Sequence, residues 1–290
     1  MSVNRWSSRF FLKTDALGMG GLLHARRLPT RKGFSCRSIS RRNAKIFTCR
    51  RPIRFSSKCP PMTFLAVAGT GDPNDPGGAY AQAIELLYGL SYTVKMSKMG
   101  AWQPEGYFDY VVPPLEGLWW AGAGAFDGAS IVDKRALSWV SLIRQPDFVT
   151  PDVFAWACAE LARKKPALAE ACEKASEEYA DGVPRLVRFA EGPCVQIMHR
   201  GPYDDEPETI AKLTAHMRDE KLTCDIAEGG ESPEGHEAAR VFDAAAVLAA
   251  LDANGAVPGM RLHHEIYLSD PRRTKPENLK TVVRHPVRSM

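Results

Sequence analysis

The chain has 290 residues, 44% of them hydrophobic and 25% charged, which is an ordinary balance for a globular protein with a buried core. No apolar run approaches the roughly 20 residues that a membrane-spanning helix needs, so no membrane association is expected. The formal net charge of +4 averages two very different parts of the chain, and the seven cysteines contain no CxxC pair, which argues against a zinc ribbon or a disulfide framework.

The N-terminal segment is strongly basic. Residues 1–61 hold 15 of the 38 Lys and Arg side chains but a single acid, Asp15, whereas the remainder has a net charge of −10. This asymmetry predicts a disordered, Arg- and Ser-rich leader at 1–60 and a globular domain at 61–290. The leader is typical of a transit peptide, which would place the protein in a chloroplast or mitochondrion, and otherwise the protein is expected to be cytoplasmic. A functionless extension and a nucleic-acid-binding arm are the alternatives.

The first half of the domain predicts alternating strands and helices. The segment at 63–69 has the composition of a buried strand, and Thr150 and Pro151 form a typical helix start. In chain order we predict a strand, a helix, two strands and a helix at 63–69, 79–98, 106–112, 137–146 and 150–165. The segment LEGLWWAG continues the 106–112 strand or forms an edge.

The same order returns in the second half. A strand and turn, a helix and two strands are predicted at 194–207, 208–222, 261–268 and 279–287. The last strand of each half ends in Arg, a polar residue and Pro, and the alignment sets Glu265 opposite Asp109. The repeat predicts an α+β fold, in which two pseudo-symmetric strand-helix-strand-strand halves form one sheet with a central ligand cleft.

The second half carries an extra segment at about 225–258. It is Gly-rich at first and then Ala-rich, which predicts a helix at 236–253 that Asn254 and Gly255 end. It is interpreted as an insertion that packs on the rim or closes over the cleft, or as a surface embellishment.

The segment RLHHEIYLSDPRR contains the candidate catalytic residue. Alternation along a strand places Glu265 on one face with His263 and Tyr267, and leaves His264 for the helix-covered face. We therefore predict that Glu265 faces the cleft, where a carboxylate can bind a cation or act as a general base. The other interpretation is a solvated surface carboxylate.

Aromatic residues are concentrated in the first half and suit a flat, cationic ligand, although they could simply fill the core. The candidate ligand-binding residues are Tyr88, Tyr92, Tyr107, Trp119, Trp120, His199, Tyr203, His263 and Tyr267. The sequence lacks HExxH spacing, a phosphate-binding loop and a GxSxG nucleophile motif. Neither a metal nor a cofactor is therefore expected.

Long segments of the chain resemble one protein family. They are PPMTFLAVAGTGDPN, AIELLYGLSYTVKMSK, PEGYFDYVVPPLEGLWW, WVSLIRQPDFVTPDVFAWA, CVQIMHRGPYDDEPETI and HHEIYLSDPRRTKPENLKTVVRHPV. In this order, from about Pro60 to Val287, they are similar to the GyrI-like small-molecule-binding family, and more narrowly to its stand-alone branch without a DNA-binding domain. The resemblance covers neither the leader nor the extra segment.

The resemblance implies a function for the cleft. Relatives serve as drug-sensing effector domains of transcription regulators, and some stand-alone members hydrolyse the strained cyclopropane of DNA-alkylating natural products. In that chemistry a carboxylate helps water attack, and the matching position here is Glu265. The assisting tyrosine stays open among four candidates, Tyr88, Tyr92, Tyr107 and Tyr267.

Three functions follow from these observations. The first is a small-molecule-binding protein that protects against planar, cationic or electrophilic compounds, and the second is a cofactor-independent hydrolase that opens strained cyclopropanes. A regulator effector domain is the third and least favoured, because the basic segment shows no helix-turn-helix pattern and the domain's charge of −10 would repel nucleic acid. The expected partner is a small aromatic or cationic ligand.

Overall fold

The computed structural model describes residues 53–121, 133–176, 179–226, 243–252 and 261–290. The strands in these ranges are β1 (Ile53–Cys59), β2 (Met62–Thr70), β3 (Leu115–Ala121), β4 (Leu137–Arg144), β5 (Pro184–Phe189), β6 (Gly192–Arg200), β7 (Leu222–Cys224), β8 (His263–Tyr267) and β9 (Lys280–Ser289). The α-helices are α1 (Ala79–Lys95), α2 (Pro151–Lys164), α3 (Ala169–Glu173), α4 (Glu206–Asp219) and α5 (Ala244–Asp252). Within the described ranges, no helix is both long enough and apolar enough to span a bilayer.

The strands form one antiparallel sheet in the order β1-β6-β9-β8-β3-β4-β2-β5, and β7 pairs with β9. The predicted α+β fold with a single sheet is therefore correct. The order β2-β4-β3 in the first half matches β6-β9-β8 in the second, and α1 and α4 follow the first strand of each half. The two halves meet where β3 pairs with β8.

Each half also contributes one strand that pairs with the other half. β1 leads directly into β2 but pairs with β6, whereas β5 leads directly into β6 but pairs with β2. β1 pairs with β6 starting from Ile53 opposite Ile197, and β2 pairs with β5 as far as Val67 opposite Pro184. Backbone hydrogen bonds therefore link the halves here as well as at the β3–β8 pair.

The helices cover the two faces of the sheet unequally. On one face, α1 and α2 pack against the first half through residues that include Leu87 and Leu161, and α4 packs against the second half through Leu213. α5 packs on the opposite face against β2, β4 and β5, with Leu248 fully buried. The Thr150 side chain accepts a hydrogen bond from the Val153 N–H (3.3 Å), which confirms the predicted start of α2.

The predicted strand at 106–112 is wrong. This segment has no regular secondary structure, and the strand of this region is β3, which begins only at Leu115. The physical reason is the Pro113-Pro114 pair, since two residues without an N–H cannot donate to a ladder. The loop aromatics instead pack on one another, with the Tyr107 and Phe148 ring centroids 5.3 Å apart.

The predicted boundary at residue 61 also differs from the structure, because β1 belongs to the sheet. Residues 1–52 lie outside the described residues. The predicted helix at 236–253 is described only from 244, as α5, and it lies on the face opposite Glu265. That part of the extra segment therefore completes the core and does not cover Glu265. β5, β7 and α3 were not predicted.

Candidate functional site

Glu265 lies in the middle of the sheet, on the strand where the two halves meet. Its cross-strand neighbours are Gly117 on β3 and Val283 on β9. Alternation puts His263 and Tyr267 on the same face, as predicted. Glu265 has 0% of its surface exposed, which excludes the alternative of a solvated carboxylate.

The face that carries Glu265 is not the one expected. From the sequence, His264 was expected on the helix-covered face and Glu265 on the open face. In the structure, Glu265 shares its face with Leu115 and Val283, which belong to the cores beneath α1 and α4. His264 lies on the face that α5 covers. The candidate site is therefore positioned between the helices of the two halves.

One oxygen of the carboxylate is bound by His263, which is bound in turn by His285. His263 Nε2 is 3.0 Å from Glu265 Oε1, and His263 Nδ1 is 2.9 Å from His285 Nε2 on β9. His285 is 5% exposed, and its burial, together with the neighbouring His263, lowers its pKa well below the ordinary value. His285 is therefore neutral.

The other oxygen of the carboxylate is buried and available. Among the described residues, Glu265 Oε2 forms no hydrogen bond of acceptable geometry, although the Tyr267 phenol lies close to the carboxylate. A buried polar atom without a partner costs about 1–3 kcal/mol, which a bound ligand or water can recover. This oxygen is the feature of the site that most directly indicates a bound polar group.

A tyrosine and a tryptophan are held next to the carboxylate. Trp119 Nε1 donates a hydrogen bond to the Tyr267 hydroxyl (2.8 Å), so the phenol keeps its own proton for another acceptor. Gly117 makes room for this pair, because a Cβ there would lie 2.5 Å from Trp119 Nε1 and 3.2 Å from the Tyr267 hydroxyl. Burial, the charge of Glu265 and a hydrogen-bond interaction with that carboxylate raise the pKa of Tyr267 well above its ordinary value.

Two further tyrosines come from the segments that precede and begin the helices. The Tyr80 ring, in the first turn of α1, lies 5.3 Å from the Trp119 ring, and the Tyr203 ring lies 6.0 Å from that of Tyr267. Burial, and then the negative charge of Glu265, raise the pKa of both Tyr80 and Tyr203. Three part-exposed phenols, all protonated, thus lie around one buried carboxylate.

Glu206, the first residue of α4, adds a second carboxylate. Ligand atoms of Glu206, His263 and Glu265 lie within 4.8 Å of one another, and all three residues are buried. Such a group could hold a metal ion, but His263 uses both ring nitrogens in the hydrogen bonds to Glu265 and His285. Two neighbouring buried carboxylates also favour a cationic ligand or a shared proton.

No protein-family model and no curated protein sequence matches the chain. Several solved structures, however, are similar to the chain. A crystal structure of a hydrolase from Listeria innocua shares 36% identity, covers 86% of this chain and 98% of its own, and superposes with a TM-score of 0.62. An uncharacterized conserved protein from the same organism shares 39% identity over 86% of this chain and 98% of its own, with a TM-score of 0.63.

The chain belongs to the same family as these Listeria proteins. A further hydrolase of the family from Listeria innocua shares 37% identity over 86% of this chain and 97% of its own, with a TM-score of 0.60. Since each of these proteins is covered almost completely, the likeness extends over the whole domain, including both halves of the sheet.

For this family member, the structure brings four of the nine predicted ligand-binding residues together around Glu265: Trp119, Tyr203, His263 and Tyr267. A fifth, His199, supports them. Its two ring nitrogens are each 2.9 Å from a partner, the Thr209 hydroxyl and the Pro202 carbonyl, and so it fixes the backbone just before Tyr203.

The other predicted residues lie elsewhere. Trp120 belongs to the core on the opposite face. Tyr88 and Tyr92 stack on each other along α1, and the Tyr107 hydroxyl donates to the carbonyl of Lys95 at the end of that helix. A helix rises about 1.5 Å per residue, so Tyr92 and Lys95 are roughly 18 Å or more from the Tyr80 end. Their role in binding stays a prediction.

The alignment of Glu265 with Asp109 is also wrong. β4 and β9 are the last strands of the two halves. Their pairing with β3 and β8 makes Leu115 the counterpart, in the first half, of Glu265 in the second. Asp109 is a loop residue that forms salt bridges with Lys95 and Lys98 (3.4 and 2.9 Å). The two halves are therefore alike in backbone topology but differ in chemistry, since only the second half has an acid at this position.

Tyr80, Glu206 and His285 are the site residues that sequence reasoning missed. The repeat offered a signal for the first two, because helices that follow equivalent strands begin at equivalent ends of the sheet. His285 could have been found by pairing the predicted strands at 261–268 and 279–287, which sets it opposite His263. The sequence left that register open.

A separate charged cluster lies on the opposite face. His264 is 3.0 Å from both Glu116 and Glu191, and Arg284 is 2.7 Å from Glu191. Burial alone would lower the pKa of His264, but the charge of Glu191 and the hydrogen bonds to both carboxylates outweigh it and raise the pKa to about 9. The cluster ties β3, β8 and β9 together beneath the candidate site.

Proposed function

We propose that this protein is a GyrI-like, cofactor-independent hydrolase that adds water to strained, electrophilic small molecules, with Glu265 as the general base. The observation that carries the proposal is the buried oxygen Oε2 of Glu265, which forms no hydrogen bond of acceptable geometry among the described residues, in a carboxylate that lies against the Tyr267 phenol. A general base needs such an oxygen within reach of the water that it deprotonates.

The surrounding groups suit the rest of the reaction. Water would attack a cyclopropane carbon while its proton passes to Glu265 Oε2. The carbon–carbon bond would break, and its electron pair would move to a conjugated carbonyl oxygen of the substrate. Tyr267, Tyr80 and Tyr203 all retain their protons and could donate a hydrogen bond to that oxygen.

The family adds independent support, because two of the Listeria relatives are described as hydrolases. The GyrI-like resemblance of the sequence suggests the substrate class, planar compounds that carry a strained cyclopropane. A protective role against such compounds follows from this chemistry, with the basic leader proposed to direct the protein to an organelle.

Binding without turnover is the second candidate. The specific observation in its favour is the pair of buried carboxylates, Glu206 and Glu265, flanked by aromatic rings. Such a site attracts a planar cation through charge and through ring faces. A sequestering protein would use the same residues but hold no water in line with an electrophilic carbon.

The deciding experiment uses a spirocyclopropyl cyclohexadienone, whose absorbance changes when ring opening gives a phenol. Replacing Glu265 by Gln keeps the shape and removes the base, so turnover is expected to fall by roughly 10²–10⁴-fold. The matched control is Glu277→Gln, which removes an exposed carboxylate and should turn over the probe at the wild-type rate.

Two results would contradict the proposal. One is a wild-type protein that binds the probe but forms no phenol, and the other is a Glu265→Gln variant with unchanged turnover. If the wild type forms no phenol and Glu265→Gln weakens binding of a planar cationic dye but not of its neutral analogue, the protein is a binder.

A further inference from the structure

His285 is a buried histidine that the proposed reaction does not itself use. It lies on β9 directly opposite His263 on β8, since the adjacent residues His264 and Arg284 are register partners. The side chain across the sheet on its other side is the apolar Val195. The charged or titratable groups that act on His285 are His263 and, more weakly, Glu191.

The hydrogen bonds form one chain from His285 to the carboxylate. His285 Nε2 is 2.9 Å from His263 Nδ1, and His263 Nε2 is 3.0 Å from Glu265 Oε1. A neutral imidazole has one nitrogen that donates and one that accepts, whereas an ionised carboxylate only accepts. His263 Nε2 must therefore donate to an ionised Glu265.

The direction of the first bond then follows. If His263 is neutral, its Nδ1 carries a lone pair, and His285 must be the donor through Nε2. The opposite direction requires His263 to be a cation between the carboxylates of Glu206 and Glu265, with His285 as the acceptor. Only the first arrangement keeps both imidazoles neutral in this buried site and still satisfies the carboxylate.

We propose that His285 is a positioning residue, which donates to His263 Nδ1 and thereby holds His263 as the Nε2–H tautomer that orients Glu265. This role of His285 rests on the proposed function, and it gives the two carboxylate oxygens different roles. Oε1 accepts from His263, and Oε2 remains to take the proton from water. His285 itself does not touch the substrate.

Two variants separate positioning from packing. His285→Leu removes the donor, and His285→Gln keeps an N–H at the end of a side chain of similar reach. In wild type and in His285→Gln, long-range ¹H–¹⁵N correlation spectra of histidine-labelled protein should show His263 protonated at Nε2 alone. In His285→Leu, His263 should show protonation at Nδ1, as the minor tautomer or the cation.

The kinetic expectation is a fall in kcat without a rise in KM. With the dienone probe, kcat of His285→Leu should fall by roughly 10- to 100-fold, the scale known for removing the outer partner of a ligating histidine. His285→Gln should recover most of that loss. The acidic limb of the kcat–pH profile should move to higher pH in the Leu variant only, because a carboxylate that loses a donor binds protons more readily.

Several outcomes would overturn the assignment. It is wrong if the wild-type spectra show His285 protonated at Nδ1 and accepting from a cationic His263. It is also wrong if His285→Leu keeps the wild-type tautomer of His263, or loses no more kcat than His285→Gln does. A wild type that forms no phenol would refute the hydrolase function instead, and the spectra would still decide the direction of the hydrogen bonds.

Discussion

The charged cluster beneath the site predicts an unusual dependence of stability on pH. His264 lies between Glu116 and Glu191, and its pKa in the folded protein is about 9, compared with an ordinary value of 6.5. Each pH unit between these values is worth about 1.4 kcal/mol, so the protonated histidine contributes about 3 kcal/mol to the free energy of unfolding.

The sign follows from proton binding. The folded protein binds this proton more tightly than the unfolded chain does, so the contribution is fully present below pH 6.5 and is lost as the pH rises through 9. Glu191 acts in the opposite sense, because His264 and Arg284 outweigh its burial and hold its pKa below the usual 4.5. Its contribution is present above pH 4.5 and is lost as the pH falls. The cluster should therefore stabilise most between these limits.

The test compares wild type with His264→Gln by urea unfolding, followed by circular dichroism at pH 6 and pH 9.5. The free energy of unfolding of the wild type should fall by about 3 kcal/mol more than that of the variant over this interval. Subtracting the variant removes the contribution of other groups that titrate in the same range. Two proteins that lose stability in parallel would refute the reasoning, since His264 would then carry no raised pKa.

Two further predictions concern packing. Gly117→Ala should lower the free energy of unfolding by about 1–3 kcal/mol, because its Cβ would lie 2.5 Å from Trp119 Nε1; wild-type stability in urea would show that the indole can move away at little cost. Leu248→Ala should lower it by about 2–5 kcal/mol, since Leu248 is fully buried. A negligible loss in thermal and urea unfolding would mean that α5 is not part of the core.

The topology of the fold was largely readable from the sequence, because hydrophobic periodicity and the repeated order of elements are local signals. α1, α2 and the strands β2, β4, β6, β8 and β9 lie close to their predicted ranges. The strand at 106–112 failed because composition favoured it, whereas Pro113 and Pro114 decided where the ladder could begin. β1 and β5 were missed because an edge strand depends on a distant partner.

The site was predictable only in part, for a similar reason. Alternation along β8 was enough to group His263, Glu265 and Tyr267 on one face. It could not say which helices cover that face, and so the faces were assigned the wrong way round. His285, Glu206 and Tyr80 enter the site through strand register and the directions of two helices, which are tertiary properties.

The strand β1 limits how the leader can be removed. A chain that begins at Met62 would keep every residue of the candidate site, yet its β6 would lose the backbone partner that β1 supplies. The amides of β6 would then lie along a bare sheet edge, and such edges recruit strands from other molecules. If the basic leader is removed by a protease, the cut is expected before Ile53, and a recombinant form that starts at Met62 should self-associate where one that starts before Ile53 does not.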